Sequence, residues 1–369
     1  MTFRNRSFAT LALLFSFGLH RELEGQAIAL HIEPTASVRL EGEGGTAFAP
    51  FGRVASASFT TRGRLVIADG ALNRISLFDR DGRWMRSVGR DGSGPAEFTR
   101  LEWVGSCGED ATIAFDLMTR RFTVLDDDLK YLSAFRVPGA PTAIACSPDR
   151  VVWYLELARA LEPPNQREWR GAASLFALSL SSGAPRVIDT VPLGDLVNLN
   201  GGWMSDPGGR RTTLAPGAGF AAVATGDGQA LAVYTADGRI GRRLTFPARP
   251  RSLTEAERRV AAEEFMARVP DHTMREAMVT NLLKAPHSPV EVHYRRVIAD
   301  PHGLYWIQRS VRGAAELRVE VVDGTGRQLL ATTIGADGEL LAVGSDHLAV
   351  LRSTGEGADV VDLYRIRRP

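Results

Sequence analysis

Lysine is almost missing from this chain: of 44 basic residues only Lys130 and Lys284 are not arginine. The bias runs through the whole sequence, so it reads as a general preference for arginine rather than as a phosphate-binding device. Charge of one sign is also lacking. No stretch is acidic or basic enough for a disordered tail, and the formal net charge of the 369 residues is +1. A near-neutral chain carries no field that would gather nucleic acid or an anionic membrane, so neither is expected as a partner. Long apolar runs are absent as well, with one exception. Phe8 to Leu19 follows Arg4 and Arg6 and is too short to span a bilayer, so residues 1–29 read as a secretory signal peptide ending at the Ala27-Ile28-Ala29 cleavage site. The charged segment His20 to Glu24 before that site is atypical, and an uncleaved anchor or a displaced start is the alternative. No cysteine lies near the site to take a lipid. Removal of the leader leaves 41 basic and 41 acidic residues. An extracytoplasmic, periplasmic or secreted protein with no transmembrane segment in its mature part is expected.

Cysteine occurs twice, as Cys107 and Cys146. An exported compartment permits a disulfide, but the bond needs Cα atoms within about 7 Å. Equivalent positions of neighbouring repeats often lie further apart, so two buried free thiols are the favoured reading.

What is present is a repeat. Residues 65–88 (LVIADGALNRISLFDRDGRWMRSV) laid over 112–135 (TIAFDLMTRRFTVLDDDLKYLSAF) align Asp69 with Asp116, Arg74 with Arg121, Asp79 with Asp126 and Trp84 with Tyr131, at an offset of 47 residues. The same hairpin returns from Val233 and from Val321, each with alternating apolar residues around a glycine-containing turn. Strand-built self-similarity at this period signals propeller blades. The fold class is therefore all-β, a six-bladed β-propeller over residues 30–369. Blades are expected at 54–88, 101–137, 141–191, 212–246 and 290–334, with a last repeat that supplies only three strands. An unpaired edge there would template aggregation, so residues 29–40 are expected to add the rim strand and close the ring. Weak patterning in blade three and in 192–211 leaves five or seven blades open. Residues 252–284 break the β pattern: they are rich in Ala, Glu, Arg and Met, and Thr254 with Glu257 forms a capping box. Two short helices divided near Pro270 are expected, as an insertion between blades four and five that either lids the channel or covers blade edges.

The phrase 65–98, VIADGALNRISLFDRDGRWMRSVGRDGSGPAEF after its leading leucine, resembles an NHL-type repeat: a strand ending in Ala-Asp, a turn to Asn-Arg-Ile, a hairpin and a glycine-rich junction with Gly-Pro and Phe. Residues 294–308 (YRRVIADPHGLYWIQ) resemble the inner hairpin of exported bacterial six-bladed propellers. The resemblance covers most of the chain as architecture and about a third as motif. It implies a scaffold that hosts lactonases, lyases, receptors and binding modules alike.

Chemistry is less legible. Gly89, Gly92 and Gly94 precede a strand rather than a helix, which argues against a dinucleotide fingerprint. The Asp69/Arg74 and Asp116/Arg121 pairs read as ion pairs or turn caps within a blade. Lactonase relatives use a Glu, Asn and Asp set around a cation, and Asn73, Asn165, Asn198, Asn200 and Asn281 fall in expected turns, loops or the insert. His287, His293, His302 and His347 lack ligand spacing, and no nucleophile motif occurs. No catalytic residue, metal or cofactor is assigned. Handover loops around the channel mouth carry Arg90, Asp91, Glu97, Arg100, Asp195 and Trp203, joined by His293, Tyr294 and Arg295, a set suited to an anionic or carbohydrate-like ligand or a peptide carboxylate. The primary reading is a non-enzymatic module binding a small molecule or a protein partner at that mouth; a hydrolase or lyase working in the channel is the rival.

Overall fold

The computed structural model describes residues 30–43, 49–157, 170–199, 202–226, 230–246, 252–266, 269, 271–288, 294–309, 316–335, 338–353 and 358–368. The expected signal peptide and cleavage site lie outside them.

Apolar alternation folds each repeat into four antiparallel strands, because a period of two places every second side chain on the same sheet face. Blade one is Val54–Phe59, Leu65–Asp69, Arg74–Phe78 and Trp84–Val88; blade two is Leu101–Ser106, Ala111–Asp116, Arg121–Asp126 and Tyr131–Arg136. The inner strands of the remaining blades are Pro141–Cys146, Thr213–Gly217, Arg296–Ala299 and Glu339–Val343. Middle strands are almost wholly buried, whereas rim strands such as Tyr131–Arg136 face solvent. Hydrophobic clusters lie between consecutive blades all the way round. The fully buried Trp153 and Trp306 sit in two of them, and large apolar side chains of this kind each stabilise the fold by roughly 1.5–3 kcal/mol.

The ring closes as expected. His31–Ile32 and Val38–Leu40 both pair antiparallel with the last strand, Asp359–Arg367, in registers His31 to Arg367 and Val38 to Leu363. Pro34 lies in the break between the two pieces, where a ladder donor would be missing. Buried Asp362 ties the closure: it accepts from Arg39 Nε and Nη2 at 2.8 and 3.0 Å and from Arg352 Nε at 2.9 Å.

Asp side chains set the turns. Asp79 and Asp323 each accept two backbone amides at their outer hairpins, and Gly82 and Gly326 follow at φ +76° and +88°. Asp126 does the same in blade two, where Leu129 takes the left-handed position at φ +60° in place of glycine. Asp69 and Asp116 sit at the ends of second strands and bind amides that lead into the inner strands, Gly52 and Arg53 for Asp69 and Thr99 and Arg100 for Asp116. These carboxylates are caps. Arg121 instead donates to the carbonyls of Ser93 and Glu97, pinning the glycine-rich crossing to blade two.

Two findings differ from the sequence reading. Cys107 and Cys146 are joined in a disulfide with Cα atoms 5.2 Å apart, correcting the expectation of free thiols. Inner strands converge on the axis, which brings repeat-equivalent positions close enough to bond. The described residues of 192–211, whose patterning is weak, also form strands: the rim strand of blade three, Pro185–Leu199, runs beyond the blade and pairs antiparallel with Gly202–Ser205. The insertion between blades four and five forms two helices, α1 (Glu255–Met266) and α2 (His272–Lys284), the second capped by Asp271. Val197, Ala262, Met266, Val279 and Leu282 pack together, so hairpin and helices form one cap with its own small core.

Candidate functional site

Every inner strand contributes to an axial channel of about 600 Å³. Because each blade repeats the same up-and-down order, all inner strands begin at one face, and blade crossings and the cap lie at that face too. The two ends differ in chemistry. At the strand starts the lining includes Arg100, Glu102, Arg211, Arg295, Arg296 and Glu339; beyond the strand ends it includes Thr60, Thr61, Gly108, Pro148 and Pro301. The lining at the second end also includes Asp300, whose carboxylate is consumed by the His302 and Leu304 amides, the Trp306 indole and Arg368. Between the ends the wall is largely apolar, with Trp103, Ile144, Ile298, Leu341 and Val343.

Most of the charged end is internally engaged. Arg100 Nε donates to Glu102 Oε1 at 2.8 Å, and Arg53 approaches the other oxygen at 3.6 Å. Arg296 Nη1 lies 3.1 Å from Glu339 Oε1 and donates to the Leu340 carbonyl at 2.6 Å. Arg295 donates to the carbonyls of Pro207, Gly208 and Gly209. Four arginines against two glutamates leave this end positive, and a channel with low-dielectric walls focuses such a field on incoming anions.

The sequence-expected residues divide into those at the channel and those away from it. Arg100 and Arg295 line it. Arg90, Asp91 and Glu97 are placed in the crossing from blade one to blade two, which folds on itself: Arg90 pairs with Glu97, and Asp91 accepts from the Asn73 amide. Glu97 also accepts from the Gly94 amide, and this bond, followed by Arg90, holds its carboxyl below the ordinary carboxylate value. Trp203 lies half-buried on the cap hairpin, opposite Asn198. Tyr294 is fully buried in the core between blades four and five, where its hydroxyl accepts from the Gly226 amide. His293 falls outside the described residues. Sequence reading did not pick out Glu102, Trp103, Arg211, Thr213 or Glu339, whereas Arg296, which follows Arg295 in the expected mouth segment His293 to Arg296, also lines the channel.

The cap meets the mouth through polar contacts. Arg210, beside Arg211, is buried against Asp195, with Nη2 2.6 Å and Nε 3.0 Å from the carboxylate. His287, just past α2, lies with Nδ1 3.1 Å from Asp206 Oδ2 at the end of the hairpin. Burial alone would raise the Asp206 pKa, but the hydrogen bond and charge of His287, the Gly208 amide and Arg258 hold it below its ordinary value. None of the described lining residues belongs to α1 or α2, so the cap stands beside the mouth. Among the described residues no three His, Cys, Asp or Glu side chains converge as a metal set, and no helix is long and apolar enough to cross a membrane.

No protein-family model matches the sequence, and no curated protein matches it. Solved structures do resemble it. A member of the duf4221 family from Bacteroides vulgatus is 11% identical with a TM-score of 0.57, over 92% of this chain and 99% of that one. A Bacteroides fragilis protein whose name provisionally assigns it to the exported class is 12% identical with a TM-score of 0.51, over 92% and 96%. At such identities the likeness is one of fold: this chain has a multi-sheet, propeller-like all-β architecture related distantly to these proteins.

Proposed function

We propose that the protein is an exported binding module of NHL-like type, comprising a cleaved leader, residues 1–29, and a single propeller domain, residues 30–369, which takes a small ligand into its axial channel from the arginine-bearing face. The observation that carries this reading is the channel itself, a space of about 600 Å³ reached by all six inner strands, with its arginines gathered at one end. That volume lies within the usual range for small-molecule sites, which combine apolar walls with a few convergent polar groups. Arg100 and Arg295 are the mouth residues of the expected set that reach it. Export is supported by the Arg4/Arg6 leader pattern and by the disulfide, a bond that persists in oxidising compartments.

The test is a thermal-shift screen of the purified chain against sugars, lactones, peptides, organic acids and divalent ions. A ligand at a hundred times its Kd stabilises the native state by about 2.7 kcal/mol, which raises Tm by about 4 °C for a domain of this size. Plugging the channel with Ala143→Trp, provided the variant keeps its far-ultraviolet dichroism, abolishes the shift. A ligand that still stabilises the plugged variant would move the site off the axis, and turnover of a lactone or glycan with a stoichiometric bound metal would replace binding by catalysis.

A further inference from the structure

We propose that the channel selects a small organic anion with an apolar body, and that Arg211 together with the Thr213 hydroxyl reads its charged end. The inference deepens the channel-binding reading and rests on it. Arg100 and Arg296 face carboxylates, and Arg295 is engaged by three carbonyls. Arg211 is exposed at the mouth and makes no ion pair among the described residues. Two positions on, Thr213 lines the same channel, and its Oγ1 is buried without a hydrogen-bond partner. A buried hydroxyl left unsatisfied is destabilising, and Thr213 belongs to the channel lining beside Arg211. A guanidinium and a hydroxyl on one strand start offer directed donors to the oxygens of a carboxylate or phosphate.

The backbone that presents them is fixed. Arg210 N donates to Asp195 Oδ2 at 2.7 Å, and the Arg210 side chain is locked to the same carboxylate. Further along, the wall suits an apolar body. A Cβ on Gly105 would lie 2.3 Å from ring atoms of Trp103, so the indole lies against bare backbone, and Trp103, Ile144 and Leu341 each contribute apolar surface to the channel lining.

Isothermal titration of the purified chain with 2-naphthoate, naphthyl phosphate and the neutral 2-naphthamide tests the proposal. The expected result is that at least one anion binds about 10- to 100-fold more tightly than the amide, the usual worth of a charge-assisted hydrogen bond, and that the two anions tell carboxylate from phosphate recognition. Arg211→Gln erases the preference while Tm stays unchanged, Thr213→Val weakens it, and Arg83→Gln on an exposed hairpin leaves it intact. Equal binding of acid and amide, or a preference that survives Arg211→Gln, overturns the anion assignment while channel binding stands. Failure of all three probes to bind overturns it too, whereas the reading of the channel as a binding site then falls or stands on the wider screen.

Discussion

Removing the Cys107–Cys146 bridge should lower stability by an amount that can be worked out in advance. The bond closes a loop of 39 residues between the inner strands of blades two and three. In the chain-entropy description, a loop of that length restricts the unfolded state by about 4 kcal/mol at 25 °C. Unfolding entropy near Tm is about 2.1 cal/mol/K per residue, so a propeller of about 340 residues changes Tm by about 1 °C for every 0.7 kcal/mol. The expected drop is therefore about 5–6 °C, read by calorimetry on Cys107→Ala/Cys146→Ala or on the parent melted in a thiol reductant. Packing has to be separated from cross-linking, because Cys107 is fully buried. Either single alanine variant breaks the bridge, so under the cross-link account each single change costs nearly as much as the double. Additive single effects, a double variant melting within about 1 °C of the parent, or a native mass heavier by two hydrogens would each refute the reasoning.

Further outcomes follow from the closure and the cap. Asp362→Asn weakens contacts to Arg39 on the N-terminal segment and Arg352 on the last blade; breaking a wholly buried pair costs about 3–5 kcal/mol, but the Arg39 side chain is 56% exposed, and water screening brings the expectation to about 2–3 kcal/mol, seen as a Tm lower by about 3–4 °C. Asp206 has a folded pKa below its ordinary value of 3.8, so its stabilisation is full above that value and is lost as pH falls through the lowered one. Tm measured from pH 6 down to about pH 2 should accordingly fall less steeply in Asp206→Asn than in the parent; parallel curves would contradict the assignment.

Blade architecture was legible because it is written in local patterns that each repeat carries separately. Alternation names the strands, Asp79 with Gly82 and Asp323 with Gly326 name the turns, and a terminal repeat short of one strand calls for the segment 29–40 to complete it. Channel-facing residues were not legible for a geometric reason. The pairing of the inner strand with its neighbour shifts register between Val54 and Ser56, between Pro141 and Ala143, and between Leu340 and Ala342. Blade two carries the same irregularity at Glu102, where Trp103 pairs with Phe115 and Leu101 with Asp116, and it re-aims side chains that simple alternation would assign to one face. Arg211 lies just before the regular strand Thr213–Gly217, where alternation does not point to it. Glu102 and Arg211 therefore escaped notice while Arg90 and Glu97 drew it. Those two look like mouth charges in the sequence, but Gly89 and Gly92, at φ +112° and +150°, fold the crossing back so that Arg90 and Glu97 meet each other. The cap hairpin escaped for a different reason: Val197 and Leu199 pack against the helical insert rather than a neighbouring blade, so their spacing answers to a surface remote in sequence.

The links between neighbouring blades give the channel an uneven stiffness. Ser56 and Ser58 accept the Val104 and Ser106 amides between blades one and two, the disulfide joins two to three, Gln308 and Arg296 bind Leu340 between five and six, and Asp359 accepts the Val54 amide between six and one. Blade four is held at the mouth: Arg170 reaches the Thr225 carbonyl, Gly226 donates to Tyr294, and Arg210 is clamped by Asp195 at the root of the cap hairpin. The residues that present Arg211 and Thr213 are thus fixed by the same polar network that seats the cap, in which Arg295 grips the turn after Asp206 and His287 holds Asp206 itself. Disturbing that network, by Asp206→Asn or by acid, should therefore weaken anion binding at Arg211 before the blades themselves melt, since the bonds between the other blades do not pass through it.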